Sequence, residues 1–191
     1  MNKLYLSLLC ILGFSFTSIA QANDFEAALS DETAQFTFRS DSSLIGWGGA
    51  DLGFSLFYNE ENDFLGQAEL MQSRQPSSEN PLTFGVGVKA YAGRLDDSGD
   101  EIFGLGIGGE VKYTFAGVTP IALYLRAFLA PEITSFSDTE EIYDYVYGVQ
   151  IEVLPQTTAF VGVRHIEVDT ENTEDFEIDD DEIHIGVRFT F

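Results

Sequence analysis

Ile183-His184-Ile185-Gly186-Val187-Arg188-Phe189-Thr190-Phe191 alternates apolar and non-apolar side chains without a break to the last residue. Successive side chains of a strand point to opposite faces, so Ile183, Ile185, Val187, Phe189 and Phe191 share one face and His184, Gly186, Arg188 and Thr190 the other. Alone, the stretch fits a half-buried edge strand of a soluble sandwich as well as one stave of a membrane barrel, because alternation is the generic signal of a strand with one apolar face. Strand length, the placement of charge and the facing of the other strands separate the two.

Further alternating runs precede it at 33–40, 45–58, 64–73, 82–95, 101–116, 119–134, 141–154 and 157–169, with 180–191 the last. The last six reach the nine to eleven tilted residues that cross a hydrocarbon layer, longer than the five or six usual in soluble strands. No segment of useful length shows a 3.6-residue period, so the chain reads as all-β. The breaks are of two kinds. Those at 40–43, 75–81, 116–120 and 154–157 are mostly neutral, whereas those at 59–63, 95–101, 136–144 and 169–182 hold 20 of the 32 acidic residues. In an up-and-down meander every second connection lies at the same end, so all four acidic breaks share one end, the pattern of a barrel with short turns on one side and polar loops on the other. Such a barrel needs an even number of strands. Phe25, Ala27 and Leu29 supply a further weak alternation before Ser30-Asp31-Glu32, which makes ten; setting the Arg39 region aside as a lead-in makes eight. Ten is favoured. Either number gives a narrow barrel whose interior is largely filled by side chains.

Placing the apolar face of each strand outward sends Phe84, Val86, Val88, Leu105, Ile107, Leu123, Leu125, Tyr147 and Val149 to the outside. Lys89, Lys112, Arg126, Arg164 and Arg188 then point to one interior together with Glu69, Glu110 and Glu152. In a low-dielectric interior these charges must pair, because an unpaired buried ion costs several kcal/mol. A salt-bridge network is therefore expected, with a narrow ion path as the alternative. In the hairpin of 82–95 and 101–116, Lys89 is expected opposite Gly106 and Tyr91 opposite Gly104, the glycines making room for larger partners. Tyr113, Phe115, Phe189 and Phe191 would form an aromatic girdle at one rim, and Tyr143 and Tyr145 at the other.

Residues 1–22 read as a cleaved secretory signal peptide: Lys3, an apolar run from Leu4 to Phe16, and Ala20-Gln21-Ala22 before the cut. A lipoprotein reading at Cys10 is disfavoured by the large Leu9 before it and the short preceding segment. Residues 23–191 then form a single domain without cysteine, hence without disulfides. The C-terminal strand ending in Phe191 resembles the closing strand of bacterial outer-membrane β-barrels. That resemblance implies recognition by the barrel-insertion machinery and residence in the Gram-negative outer membrane among its lipids and lipopolysaccharide.

Signals for chemistry are sparse. His165 and His184 are expected near the loop rim, His184 inside and His165 on the outer face. His184 with Asp169, Asp180 or Ser137 supplies the ingredients of a rim-sited hydrolase or acyltransferase, but no motif links them, so no catalytic residue is assigned. The acidic loop from Glu171 to Glu182 lacks the glycine and ordered oxygen spacing of a calcium hand, so no metal or cofactor residues are assigned, although such a loop attracts divalent cations that could bridge it to phosphorylated lipopolysaccharide. The formal net charge of −23 argues against a nucleic-acid partner.

Thr33 to Phe38, Gly46-Trp47-Gly48-Gly49 to Tyr58, Phe84-Gly85-Val86-Gly87-Val88-Lys89-Ala90-Tyr91, Phe103-Gly104-Leu105-Gly106, Val161-Gly162-Val163-Arg164 and the terminal Phe together resemble the YfaZ family of proteobacterial outer-membrane proteins. The resemblance implies a barrel and a location and carries no functional residues with it. The expectation is an all-β, up-and-down antiparallel transmembrane β-barrel of eight to ten strands, monomeric, with a structural or surface-interaction role. A narrow channel for ions or small solutes is the alternative, and a lipid-modifying enzyme the third reading.

Overall fold

A computed structural model describes residues 23–42, 49–75, 80–96, 99–170 and 176–191. The expected leader and the Gly46-Trp47-Gly48 segment lie outside the described residues. Eleven strands follow in order: β1 (Asp24–Leu29), β2 (Thr33–Asp41), β3 (Asp51–Asn59), β4 (Phe64–Arg74), β5 (Leu82–Arg94), β6 (Glu101–Phe115), β7 (Ile121–Ala130), β8 (Ser135–Ser137), β9 (Thr139–Leu154), β10 (Thr157–Thr170) and β11 (Phe176–Thr190). All pairings are antiparallel, and β1 pairs with β11 from Asp24 opposite Thr190 to Leu29 opposite Ile185. Asn23 and Phe191 extend that seam, each donating its backbone N–H to the other's carbonyl at 2.9 Å. The sheet is thus closed into a barrel by ten strands. The weak alternation of 24–30 is a wall strand, which makes the count ten rather than eight.

Local chemistry sets the turns. Ser30 Oγ accepts the Thr33 N–H at 2.9 Å, turning β1 into β2. Asn59 Oδ1 accepts the Asp63 N–H at 2.8 Å, and Asn59 Nδ2 donates to Asp63 Oδ2 at 2.9 Å, fixing the β3–β4 turn. Between β9 and β10, Pro155 presets φ and Gln156 takes the left-handed conformation at φ 66°, a two-residue reversal.

One expected strand is interrupted. The run at 119–134 ends at Ala130, because Pro131 has no N–H to give a ladder. The chain makes a 3₁₀ turn over Glu132–Thr134 and rejoins β6 as the short β8, while Thr134 Oγ1 donates to the Leu105 carbonyl at 2.7 Å. At the other ladder of interest the expected register holds: Lys89 faces Gly106 and Tyr91 faces Gly104.

The wall is apolar outside. Val86 is 71% exposed and Ile107 68%, while Phe57 and Ile142, facing inward, are 0% exposed. Tyr113 and Phe115 meet edge to face at 4.9 Å near the end that carries Asn23 and Phe191, the end Phe189 also occupies. The connections at 30–32, 60–63 and 131–138 and the last residues of β5 and β10 all lie at the opposite end, so the described acidic breaks are gathered there as their alternation requires.

Candidate functional site

The lumen is the interior that the wall encloses, and its contents change along the axis. Toward the termini it is filled by charge. Glu26 on β1 accepts Arg39 Nη1 of β2 at 3.0 Å and Arg188 Nε and Nη2 of β11 at 2.8 and 2.7 Å. Glu26 and Arg188 are direct register partners across the closing seam, so this forked contact bolts the first strand to the last. Arg126 on β7 reaches Glu110 of β6 at 2.9 Å and Glu69 of β4 at 3.5 Å, and Ser73 donates to the other Glu110 oxygen at 3.1 Å. Lys89 on β5 crosses the lumen to Asp144 Oδ2 of β9 at 2.6 Å, an oxygen that also accepts the Tyr91 hydroxyl at 3.0 Å. A cavity of about 180 Å³ runs among Glu26, Arg39, Glu69, Lys112, Arg126 and Gln150, roomy enough for several waters.

Toward the loops the filling is chiefly apolar, with Asp63, Asp100 and Thr170 also buried at that end. Phe57, Leu65, Leu95, Ile102, Ile142, Ile166 and Val168 are each at most 1% exposed and belong to one cluster. They close the bore as a stopper contributed by β3, β4, β6, β9 and β10 and the residue after β5. Arg164 marks the boundary. Its Nε meets Asp179 Oδ2 at 2.6 Å, Nη2 donates to Thr33 Oγ1 at 3.1 Å, Nη1 bonds Gln35, and its guanidinium carbon lies 4.8 Å from the centre of the Phe57 ring. Glycines make the bore narrow enough to fill. Gly148 and Gly162 face each other on β9 and β10, and a Cβ at either would stand 2.9 or 2.7 Å from the Tyr124 hydroxyl oxygen that spans to them from β7.

The interior expected from the sequence is largely assembled: Lys89, Arg126, Arg164, Arg188, Glu69 and Glu110 all face the lumen and pair. Glu152 does not join them; it is exposed at the terminal rim. Lys112 lines the cavity beside Glu110. Gly104 makes room for Ile142, whose Cδ1 would stand 2.8 Å from a Cβ added there, rather than for Tyr91, whereas Gly106 does accommodate the Tyr91 ring. Four network members escaped the sequence reading. Asp144 and Asp179 stand within acidic breaks, yet Asp144 shares the inward parity of Gly148 and Gln150, and that parity was the signal available. Glu26 and Arg39 belong to the first two strands, whose short alternation obscured their facing.

The two histidines lie on opposite faces. His184 is buried in the lumen opposite Gly162, edge-on to Phe160 at 5.9 Å. His165 is on the outer wall, stacked on Tyr145 at 4.8 Å with Glu167 Oε2 3.1 Å from Nε2. Asp169, opposite Glu141, is seven residues along β10 from Gly162, about 23 Å at strand spacing, and Ser137 pairs with Ile102 on β6. His184, Asp169 and Ser137 are therefore not brought together, and the Asp180 side chain and residues 171–175 lie outside the described residues.

A closed antiparallel wall with an apolar exterior and paired charges inside defines a small outer-membrane-type β-barrel. The chain belongs to the YfaZ family: the family profile described as YfaZ precursor matches residues 3–191. Among solved structures, the crystal structure of Neisserial surface protein A is similar, with 21% identity, 90% of this chain and 95% of that chain covered, and a TM-score of 0.38. No curated protein matches the chain.

Proposed function

We propose that the protein is a monomeric, non-conducting barrel of the Gram-negative outer membrane that works at its external acidic rim, in envelope structure or surface interaction. The observation that carries this reading is the stopper: an ion passing through must displace a chiefly apolar layer that includes Phe57, Ile142 and Ile166. With the lumen filled, the surfaces left for partners are the lipid-facing belt and the acidic loops. Export follows from the leader at 1–22, insertion from recognition of the last strand ending in Phe191, and contact with lipopolysaccharide phosphates from divalent cations held between them and the loops.

Planar-bilayer recording of the folded barrel, with heat-modifiable gel migration as the check on folding, tests the reading. Silence is the expected result. Reproducible conductance steps that change when Arg126 is made neutral would replace it with the channel reading, for which the polar cavity toward the termini would be the vestibule.

A further inference from the structure

Beneath the stopper, the cavity of about 180 Å³ ends on a chain of amides. Arg164 Nη1 bonds Gln35, whose Nε2 donates to Gln67 Oε1 at 3.5 Å. That order of donors and acceptors fixes which way each amide faces. It leaves the last group, Gln67 Nε2, with no acceptor, although Gln67 lines the cavity and is 5% exposed. A buried amide donor without a partner is costly, and folded proteins keep few of them. His184, also buried, lines the same cavity, and its Nδ1 makes no hydrogen bond in bonding geometry, the Glu182 carbonyl being the backbone group that acts on the ring.

The ions at this depth are already paired, in the networks of Glu26, Arg126, Lys89 and Arg164. Asp51 and Lys112, which carry no ion pair among the described residues, line the cavity at its terminal end, where Asp51 is exposed and the cavity opens. One wall is left bare by Gly53 on β3. A Cβ there would stand 3.6 Å from Arg39 Cγ and from Glu69 Cβ, ordinary contact distances, whereas one at Gly148 or Gly162 would collide with backbone. Space, not crowding, surrounds Gly53.

We propose that the terminal half of the lumen is a cup that binds a small, neutral, hydroxyl-rich solute of monosaccharide size. A cavity that holds several waters holds one solute of comparable bulk. Each hydroxyl both donates and accepts, so one accepts from Gln67 Nε2 while another donates to Glu69, two residues along the same face of β4. The contact of Glu69 with Arg126, at 3.5 Å, leaves carboxylate lone pairs for that donor. A small turn about the soft terminal torsion of Gln67 or His184 presents its nitrogen to the solute. A charged solute finds no spare counter-ion at depth and would have to break an existing pair, which is strongly unfavourable. The cup lies on the terminal side of the stopper, so binding is independent of whether the barrel conducts.

The test is titration of glucose, galactose and inositol, each alone, into the folded full chain in an amine-oxide micelle, which brings no sugar headgroup. Nitrogen-edited NMR follows the Gln67 side-chain amide, assigned by its loss in Gln67→Leu. At least one of the three should give a saturable shift, with a dissociation constant of roughly 10⁻³ M for a ligand this small. Acetate and tetramethylammonium should give none. Gly53→Val fills the cup without removing a polar group and should weaken binding at least tenfold, with heat-modifiable migration showing that the variant is folded. No saturable shift with any of the three, saturable binding of acetate or tetramethylammonium in their place, or binding that survives Gly53→Val in the folded barrel would overturn the site.

Discussion

On β9, Ile142 lies against a glycine position of β6 in a cluster of buried aliphatics, whereas eight residues further along the same face Gln150 accepts from Arg188 beside a polar cavity. Both side chains face the same bore from the same strand, so facing alone does not decide what a lumen holds. The loop half is filled like the core of a soluble protein and gains from burial and packing. The terminal half is filled by charges whose attraction largely offsets their own desolvation, so it contributes chiefly by being complete. The first filling is chiefly apolar; the second surrounds a polar cavity.

That difference can be broken first at Lys89. Lys89→Met leaves Asp144 buried with the Tyr91 hydroxyl and no counter-charge, and the expected loss is about 3–5 kcal/mol in denaturant unfolding of the micelle-held barrel. Lys89→Met with Asp144→Leu should recover most of it; a double variant as unstable as the sum of two single losses would contradict the pairing. Next in size, Ile142→Ala in the stopper is expected to cost about 2–5 kcal/mol, and a second substitution nearby should not restore it, because a cavity has no partner to remove. Gly162→Ala sharpens the geometry between the halves. Its Cβ would stand 2.7 Å from both the Tyr124 hydroxyl and the Tyr147 backbone carbonyl oxygen, and relieving those contacts should cost about 1–3 kcal/mol, seen as a lower unfolding midpoint.

Much of this architecture was legible because lipid demands an apolar exterior, and alternation over ten residues reports it directly. The closing strand, the single end for the acidic breaks and the register of Lys89 with Gly106 all follow from that demand. The stopper was not legible. Ile142, Ile166 and Val168 point inward near strand ends, where inward apolar residues spoil the alternation and look like the margin of a loop. Asp144 and Asp179 were hidden for the complementary reason: each sits among loop carboxylates in sequence and is separated from them only by facing. The end of β7 was marked by Pro131, whose missing N–H outweighs the apolar pattern that runs past it.

The smallest effect expected is at the rim. Glu32 binds its proton more tightly in the folded barrel than unfolded, because Glu182 and Glu60 stand beside it. Stability should therefore rise slightly as pH falls from 7 toward the ordinary carboxylate value of 4.5, and Glu32→Gln should remove that part of the rise, followed by thermal unfolding across the range.

Water access within the bore tests the division most directly. The single cysteine of the chain, Cys10, precedes the barrel, so Ile142→Cys and Gln150→Cys each place one thiol on the inward face of β9. With a small charged thiol reagent on the folded barrel, the thiol at 150 should react at least tenfold faster than the thiol at 142. Equal rates at the two positions would mean that water reaches the stopper, and the account of a sealed lumen would fail.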